Sequence, residues 1–384
     1  MVQLTALLAS FGVGMCFSLL GSVSVKLMPR LGIDTGRFGS LVSALMFTAV
    51  ASSILVGLGI DTWGHKPFAV IGFLLTGASI FAIARSKGYG AVFVACLVLG
   101  VGAMCLSNVG NTLLPVVLFG GTAPAAAINL GNVAFGLGLF LTPFIVSFLF
   151  QRTSFENAVS VLAVIAVVPA VIAFAGQGFP AVKLGFSPAA AAGLLLQPVV
   201  ILAGLTLFCY ISLESSFSNW IAPYSKQIIG KDFPGLAEAV VDATSQRMLS
   251  IFAVAMMVGR LLASQIAAIE GHGAMVVVIL SVVAGAVILA MTRSGAMWSA
   301  LLVACGGLAF AAIFPTVVAV TYNRHPDSFG TVFGIIFAIG LLGAVIVPKA
   351  IGNLARGRSV QKSLGLLLPI CAVMVILAVI LGMM

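Results

Sequence analysis

Apolar stretches of membrane-spanning length recur along the whole of this chain, and no other feature constrains its fold as strongly. A spanning helix needs about 20 mostly apolar residues. Runs of that kind, delimited by charged residues or by Pro and Gly, lie near 4–25, 39–60, 67–85, 89–114, 124–150 and 157–176. After a break they resume near 198–224, 246–269, 273–292, 296–322, 329–352 and 363–384, making twelve. Charged residues make up 7% of the 384 positions, against roughly 25% in a soluble domain. A chain so poor in charge could not cover its own surface in water, so lipid is the expected solvent for its outer side chains. The fold class read from this pattern is an all-α membrane protein of twelve transmembrane helices.

The first run is too long and too evenly apolar for a signal peptide, and it reads as a span. The six cysteines, Cys16, Cys96, Cys105, Cys209, Cys305 and Cys371, all fall inside expected spans. They read as small core residues, with no disulfide framework or metal cluster. The net charge of +9 raises the question of nucleic acid, but the basic residues are scattered singly among short loops. No basic stripe with interleaved aromatics exists, so nucleic-acid binding is not expected. Nor is there a phosphate-binding loop, a His/Cys cluster or a plausible Ser-His-Asp order. The chain is therefore read as a non-enzyme without cofactor or metal.

A polar-poor stretch from Gln177 to Gln197, rich in Gly, Pro and Ala, separates six spans from six. It divides the chain into an expected bundle at 1–176, a linker at 177–197 and a second bundle at 198–384. Short signatures recur across the divide at a near-constant offset. Gly64-His65 after span 2 corresponds to Gly271-His272 after span 8, an offset of 207. Gly138 and Pro143 of span 5 correspond to Gly343 and Pro348 of span 11, an offset of 205. An internal duplication follows, giving two pseudo-symmetric six-helix bundles.

The loop after span 2 reads GLGIDTWGHK over residues 57–66. It resembles the loop signature of the major facilitator transporters: Gly57, Asp61, Gly64 and Lys66 match. His65 stands where Arg is usual, and Thr62 where a basic residue is usual. Physically, the glycines permit a tight turn and close helix approach, and the Asp61 carboxylate can face a helix N-terminus. Such a contact between the halves would latch one conformation. An ordinary solvated turn with a capping Asp is the alternative.

Span 7 narrows the resemblance. Residues 210–224 read YISLESSFSNWIAPY, in which Tyr210, Glu214, Trp220 and Tyr224 are similar in type and spacing to the fucose–proton symporter family. The Gly259-Arg260 pair, the GGLAFAAIFPT run at 306–316 and the GLLGAVIVPKAIGNLA run at 340–355 agree as well. In the first half, Gly100, Gly102, Asn108 and Asn111 agree, as does NLGNVAFGLGLFLTP at 129–143. The resemblance implies the major facilitator fold and a small-molecule solute. It also implies a co-transported proton or sodium ion, a monomer, and residence in the cell inner membrane. It places both termini and the Asp61 loop in the cytoplasm. The basic residues point the other way, with three (Lys66, Lys183 and Arg324) on that side and thirteen on the opposite one. That count is contrary to the usual positive-inside bias.

At 100° per residue, Tyr210, Glu214, Phe217, Trp220 and Tyr224 share one helix face within about 120°. Aromatic planes with hydrogen-bonding edges suit a sugar, whose C–H face stacks while its hydroxyls bond; a packing face with satisfied polar tips is the other reading. Glu214 is the one acid well inside an expected span, and an ionisable group at membrane depth is a functional candidate by default. It is the candidate for solute binding and for proton coupling, or else a structural hydrogen-bonded acid. Spans 1 and 4 lack the carboxylates that the fucose symporters carry there, and span 4 offers Ser107, Asn108 and Asn111 instead. Neutral amides bond hydroxyls but carry no proton charge, so a uniporter stays open. Asn108 and Asn111 share a helix face, as do Asn129 and Asn132, and such amides point to a bundle interior or a cavity. Arg260 is assigned to the domain interface together with the Gly57–Lys66 loop. The expected function is alternating-access transport of a small polar solute, a sugar first. An exporter of amphipathic compounds, and then a channel or membrane sensor, are the alternatives.

Overall fold

A computed structural model describes residues 1–181 and 188–384. Helices dominate it, and no strand is present among the described residues. Among the described residues, twelve helices are long and apolar enough to cross a membrane. The first six are α1 (Val2–Leu31), α2 (Gly36–Trp63), α3 (His65–Arg85), α4 (Tyr89–Val117), α5 (Pro124–Phe150) and α6 (Phe155–Ala175). The second six are α7 (Pro198–Asp232), α8 (Val240–Ala263), α9 (Gly273–Met291), α10 (Ala296–Arg324), α11 (Pro326–Ala355) and α12 (Val360–Met383). Large apolar side chains such as Phe47, Leu55, Val171 and Phe174 stay exposed. In water such a surface would drive aggregation, whereas acyl chains solvate it. The protein is thus an all-α, multi-pass membrane protein.

The helix ends follow from local chemistry. Gly32 closes α1 in the left-handed region at φ 60°, and its N–H bonds to the Met28 and Pro29 carbonyls. Asp34 caps α2 by accepting from Arg37 N at 2.7 Å. Gly64, at φ 85°, is the single joint between α2 and α3. Ser154 caps α6 through Asn157 N. Prolines open α5 and α7, where a missing N–H costs nothing.

The chain divides into two compact units. One comprises residues 1–127, 131–195 and 325–338; the other comprises 128–130, 196–324 and 339–384. The linker expected at 177–197 is described in part: a short helix runs Pro188–Leu194, while residues 182–187, Lys183 among them, lie outside the described residues. Within the first unit α4 packs on α1, α2 and α3, and α3 packs on α6. In the second, α10 packs on α7, α8 and α9, and α9 packs on α12. The pattern is the same with six added to each number, as a duplicated bundle requires.

Glycines make the close approaches in both copies. A Cβ at Gly138 of α5 would fall on the Phe11 carbonyl of α1, and one at Gly343 of α11 on the Phe208 carbonyl of α7. Gly100 of α4 sits against Thr48 and Leu45 of α2, and Gly307 of α10 against Phe252 and Met256 of α8.

Several expected bounds need correction, and α1 runs to Leu31 rather than ending near 25. Helix α7 runs to Asp232 rather than ending near 224, and α8 spans 240–263 rather than 246–269. Lys226, Asp232 and Asp242, which read as loop markers, lie within these helices, Glu238 lies just before α8, and all four have partners. Lys226 bonds Glu238 at 3.1 Å and Asp242 at 2.8 Å. Asp232 accepts from Ala296 N at 2.7 Å, at the start of α10.

Candidate functional site

Two polar constellations stand out, one in each unit. The first is the Asp61 cluster. Helix α2 presents Ser53, Gly57 and Asp61 one turn apart, and α11 presents Gly330 and Gly334 opposite. Without side chains at Gly57 and Gly330 the two backbones come within touching distance. Asp61 Oδ1 accepts from Gly330 N at 2.9 Å and Oδ2 from Thr331 N at 2.6 Å. Ser53 Oγ donates to the Gly334 carbonyl at 3.0 Å. The carboxylate thus fills the orphan-donor end of a helix, where the partial positive charge stabilises it. Residues 325–338 group with the first unit, so this contact lies inside that unit.

The basic part of the loop does something different. Lys66 Nζ donates to the Gly176 carbonyl at 3.0 Å, just past the C-terminal end of α6, where a cation complements the helix dipole. His65 Nε2 lies 3.1 Å from Thr112 Oγ1 of α4. Gly57, Asp61, Gly64 and Lys66 therefore hold helix ends together within one unit.

The second constellation lies on α7. Tyr210 is buried, and the Glu214 side chain, one turn on, keeps 25% of its surface exposed. Arg260 of α8 is 3% exposed and reaches both. Its Nη2 donates to Tyr210 Oη at 3.1 Å and to Glu214 Oε1 at 3.3 Å. Its Nε donates to the Ala311 carbonyl at 3.4 Å. The sequence reading grouped Arg260 with the Gly57–Lys66 loop; the structure bonds it to Tyr210, Glu214 and Ala311 instead. The reason is electrostatic, since a guanidinium cannot be left unpaired in a dry interior and Glu214 is the acid within its reach.

The rest of the α7 face splits up. Phe217 packs on Phe310 at 4.6 Å, edge to face, and on Phe252 at 5.5 Å. Trp220 is part-exposed, and its indole N–H donates to the Pro348 carbonyl at 3.0 Å. Tyr224 is fully buried, with its hydroxyl donating to the Met291 carbonyl at 3.2 Å. Both polar tips are thus spent on helix packing, and Tyr224 offers no open surface.

The amides are placed as follows. Asn108 is fully buried on α4, with Nδ2 donating to Met104 O and Oδ1 unpartnered. Asn111 is part-exposed, with Nδ2 donating to Ser107 O at 2.9 Å. Asn129 is fully buried on α5. Asn108 and Asn111 belong to the first unit, whereas Asn129 groups with the second, as do Tyr210, Glu214, Trp220 and Tyr224.

Sequence reasoning missed the Ala311 carbonyl as a partner. The signal was Pro315, which removes the N–H that would otherwise bond the carbonyl four residues back.

Comparison with known proteins bears on this arrangement. The chain is similar to a transporter, FucP, solved in the outward conformation, at 17% identity, with a TM-score of 0.79 over 98% of each chain. A structure of the E. coli fucose:proton symporter FucP is similar at 17% identity and a TM-score of 0.76, again over 98% of each. The human organic anion transporter MFSD10 is similar at 17% identity and a TM-score of 0.75, over 98% of this chain and 97% of that one. No curated protein matches the chain. At such identities the structures establish the fold alone. The sequence model of the Major Facilitator Superfamily, however, matches residues 6–348, most of the chain. With twelve spans in two like bundles, the chain belongs to the Major Facilitator Superfamily of transporters.

Proposed function

We propose that this transporter carries a small polyhydroxylated solute, a sugar or polyol, and that Glu214 is the group the solute meets. One observation carries the reading: Glu214 keeps 25% of its side-chain surface exposed while its counter-ion Arg260 keeps 3%. A solute reaching this pair meets carboxylate oxygens, not the guanidinium. Such a surface favours hydroxyl donors and disfavours organic anions, and the buried cation offsets the cost of holding a carboxylate at membrane depth. Tyr210 fixes the geometry from behind, and the ring of Trp220 supplies an apolar plane for stacking. Asn108, Asn111 and Asn129 are the further solute-binding candidates, as amides able to bond hydroxyls.

Transport in this reading is alternating access. Both termini and the Gly57–Lys66 loop face the cytoplasm of a cell inner membrane. A carboxylate already balanced by Arg260 is better fitted to hold hydroxyls than to load and release a proton. Facilitated transport is therefore favoured over symport.

The test is counterflow of labelled sugars in proteoliposomes, comparing wild type with Glu214→Gln. A charge-assisted bond is worth about 1.5–3 kcal/mol, so the variant should lose roughly ten- to a hundredfold in affinity. Proton-driven accumulation by wild type that vanishes in the variant, with counterflow retained, would overturn uniport in favour of symport. Unchanged affinity would remove Glu214 from the solute site, and absence of trans-stimulation for every sugar would sink the reading.

A further inference from the structure

Helix α10 is not continuous. Its regular turns end at Ala311 and resume at Ile313, with Ala312 at φ −94° and ψ −4° between them. Pro315 causes the break: it has no N–H for the Ala311 carbonyl, and its ring crowds that same oxygen. Irregular backbone at membrane depth needs a replacement donor, because lipid supplies none. The replacement is Arg260 Nε, at 3.4 Å. Nη2 of the same rigid, planar guanidinium is held by Tyr210 at 3.1 Å and Glu214 at 3.3 Å. One flat fork therefore bridges the part-exposed acid of α7 and the break in α10. Its bond to the break is the longest of the three.

We propose that Arg260 is a positioning residue that transmits the state of Glu214 to the conformation of α10 at Ala312. This rests on the reading of Glu214 as the solute's acceptor. With Glu214 empty, the carboxylate and the Tyr210 hydroxyl draw the fork toward α7, and the bond to Ala311 stays loose. When hydroxyl donors share the carboxylate's charge, its pull on Nη2 weakens. The guanidinium then seats on the Ala311 carbonyl and clamps the break. Solute occupancy thereby stiffens α10 from a distance, and the signal crosses through one side chain. No bond is made or broken beyond hydrogen bonds.

The test needs no solute, which separates its failure from failure of the sugar reading. Amide hydrogen exchange over residues 309–318 is measured on the purified full chain in lipid nanodiscs, for wild type, Glu214→Gln, Pro315→Ala and the double variant. Neutralising Glu214 imitates occupancy. The net worth of one tightened hydrogen bond corresponds to roughly two- to tenfold slower exchange at the break. Pro315→Ala restores the native donor to Ala311, so it should slow exchange by itself and leave Glu214→Gln nothing further to do. Tyr210→Phe, which removes the other Nη2 partner, should act in the same direction and serves if Glu214→Gln fails to fold. An Arg260 that merely neutralises a buried acid predicts no change at 309–318 in either single variant of α7. That result, faster exchange, or additive effects in the double variant would overturn the proposal.

Discussion

Asp61→Asn is the sharpest probe of the α2–α11 contact. The wild-type carboxylate accepts from two consecutive backbone amides, at 2.9 Å from Gly330 and 2.6 Å from Thr331. Asparagine keeps one acceptor and turns an NH₂ donor toward the other N–H. One charge-assisted bond is lost, worth about 1.5–3 kcal/mol. The favourable interaction of a negative charge with the helix end goes too, at about 0.3–1 kcal/mol. Together these come to roughly 2–4 kcal/mol, or about thirty- to several-hundredfold in the population of the closed contact. Val332, fully buried one residue beyond the contact, provides the reporter. Alkylation of Val332→Cys should be slow on an otherwise wild-type chain and should accelerate by at least about tenfold with Asp61→Asn, taking the low end of that range. Gly330→Ala tests the same contact by steric means. Its Cβ would stand 2.6 Å from both Asp61 Oδ1 and the Gly57 carbonyl, so it should open the contact likewise. Equal alkylation rates in wild type and both variants would refute the argument.

The glycines at the two equivalent crossings make a paired prediction. Gly138→Ala and Gly343→Ala, whose Cβ atoms would meet backbone carbonyls, should each cost about 1–3 kcal/mol in thermal melts. Gly21→Ala in the interior of α1, where a Cβ meets nothing within 4 Å, should be neutral or stabilise by up to about 1 kcal/mol. Trp220→Phe removes the N–H bonded to Pro348 and keeps an aromatic plane. It should lower stability by about 1 kcal/mol and leave sugar affinity within about threefold, and a larger loss in binding assays would give the indole N–H to the solute.

The residues show why some of this was legible and some was not. The spans could be read because hydrocarbon imposes one length and one composition on every helix that crosses it. The bounds of α7 and α8 could not, because Lys226, Asp232, Glu238 and Asp242 look like loop residues until their partners are known. For Asp61 the kind of partner, a helix N-terminus, followed from charge and flanking glycines, while the choice of α11 did not. Helical periodicity placed Tyr210, Glu214, Trp220 and Tyr224 on one face but carried no information about what stands opposite. Opposite Trp220 and Tyr224 stand carbonyls of α11 and α9, and opposite Tyr210 and Glu214 stands Arg260. Those pairings join residues 46 to 128 positions apart, beyond any local pattern.

Duplication accounts for the scaffold, and divergence at matched positions accounts for the chemistry. The offset of 207 that relates Gly64 to Gly271 also relates Gly100 to Gly307, and both members of the latter pair seat α4 or α10 on its neighbour. Applied to Arg260, the same offset lands on Ser53. Ser53 donates from α2 to a carbonyl of α11, whereas Arg260 donates from α8 to a carbonyl of α10 and to an acid of α7. Applied to Pro315, it lands on Asn108, in a helix that runs unbroken. The first copy thus keeps a small hydroxyl and an intact α4, and the Asp61 carboxylate makes its contact at the helix ends. The second copy exchanges those two positions for a guanidinium and a proline. Either change alone would be costly, since an unpaired buried arginine and an unsatisfied buried carbonyl each lack a partner. Made together they satisfy one another, and they leave the part-exposed Glu214 paired with a buried charge.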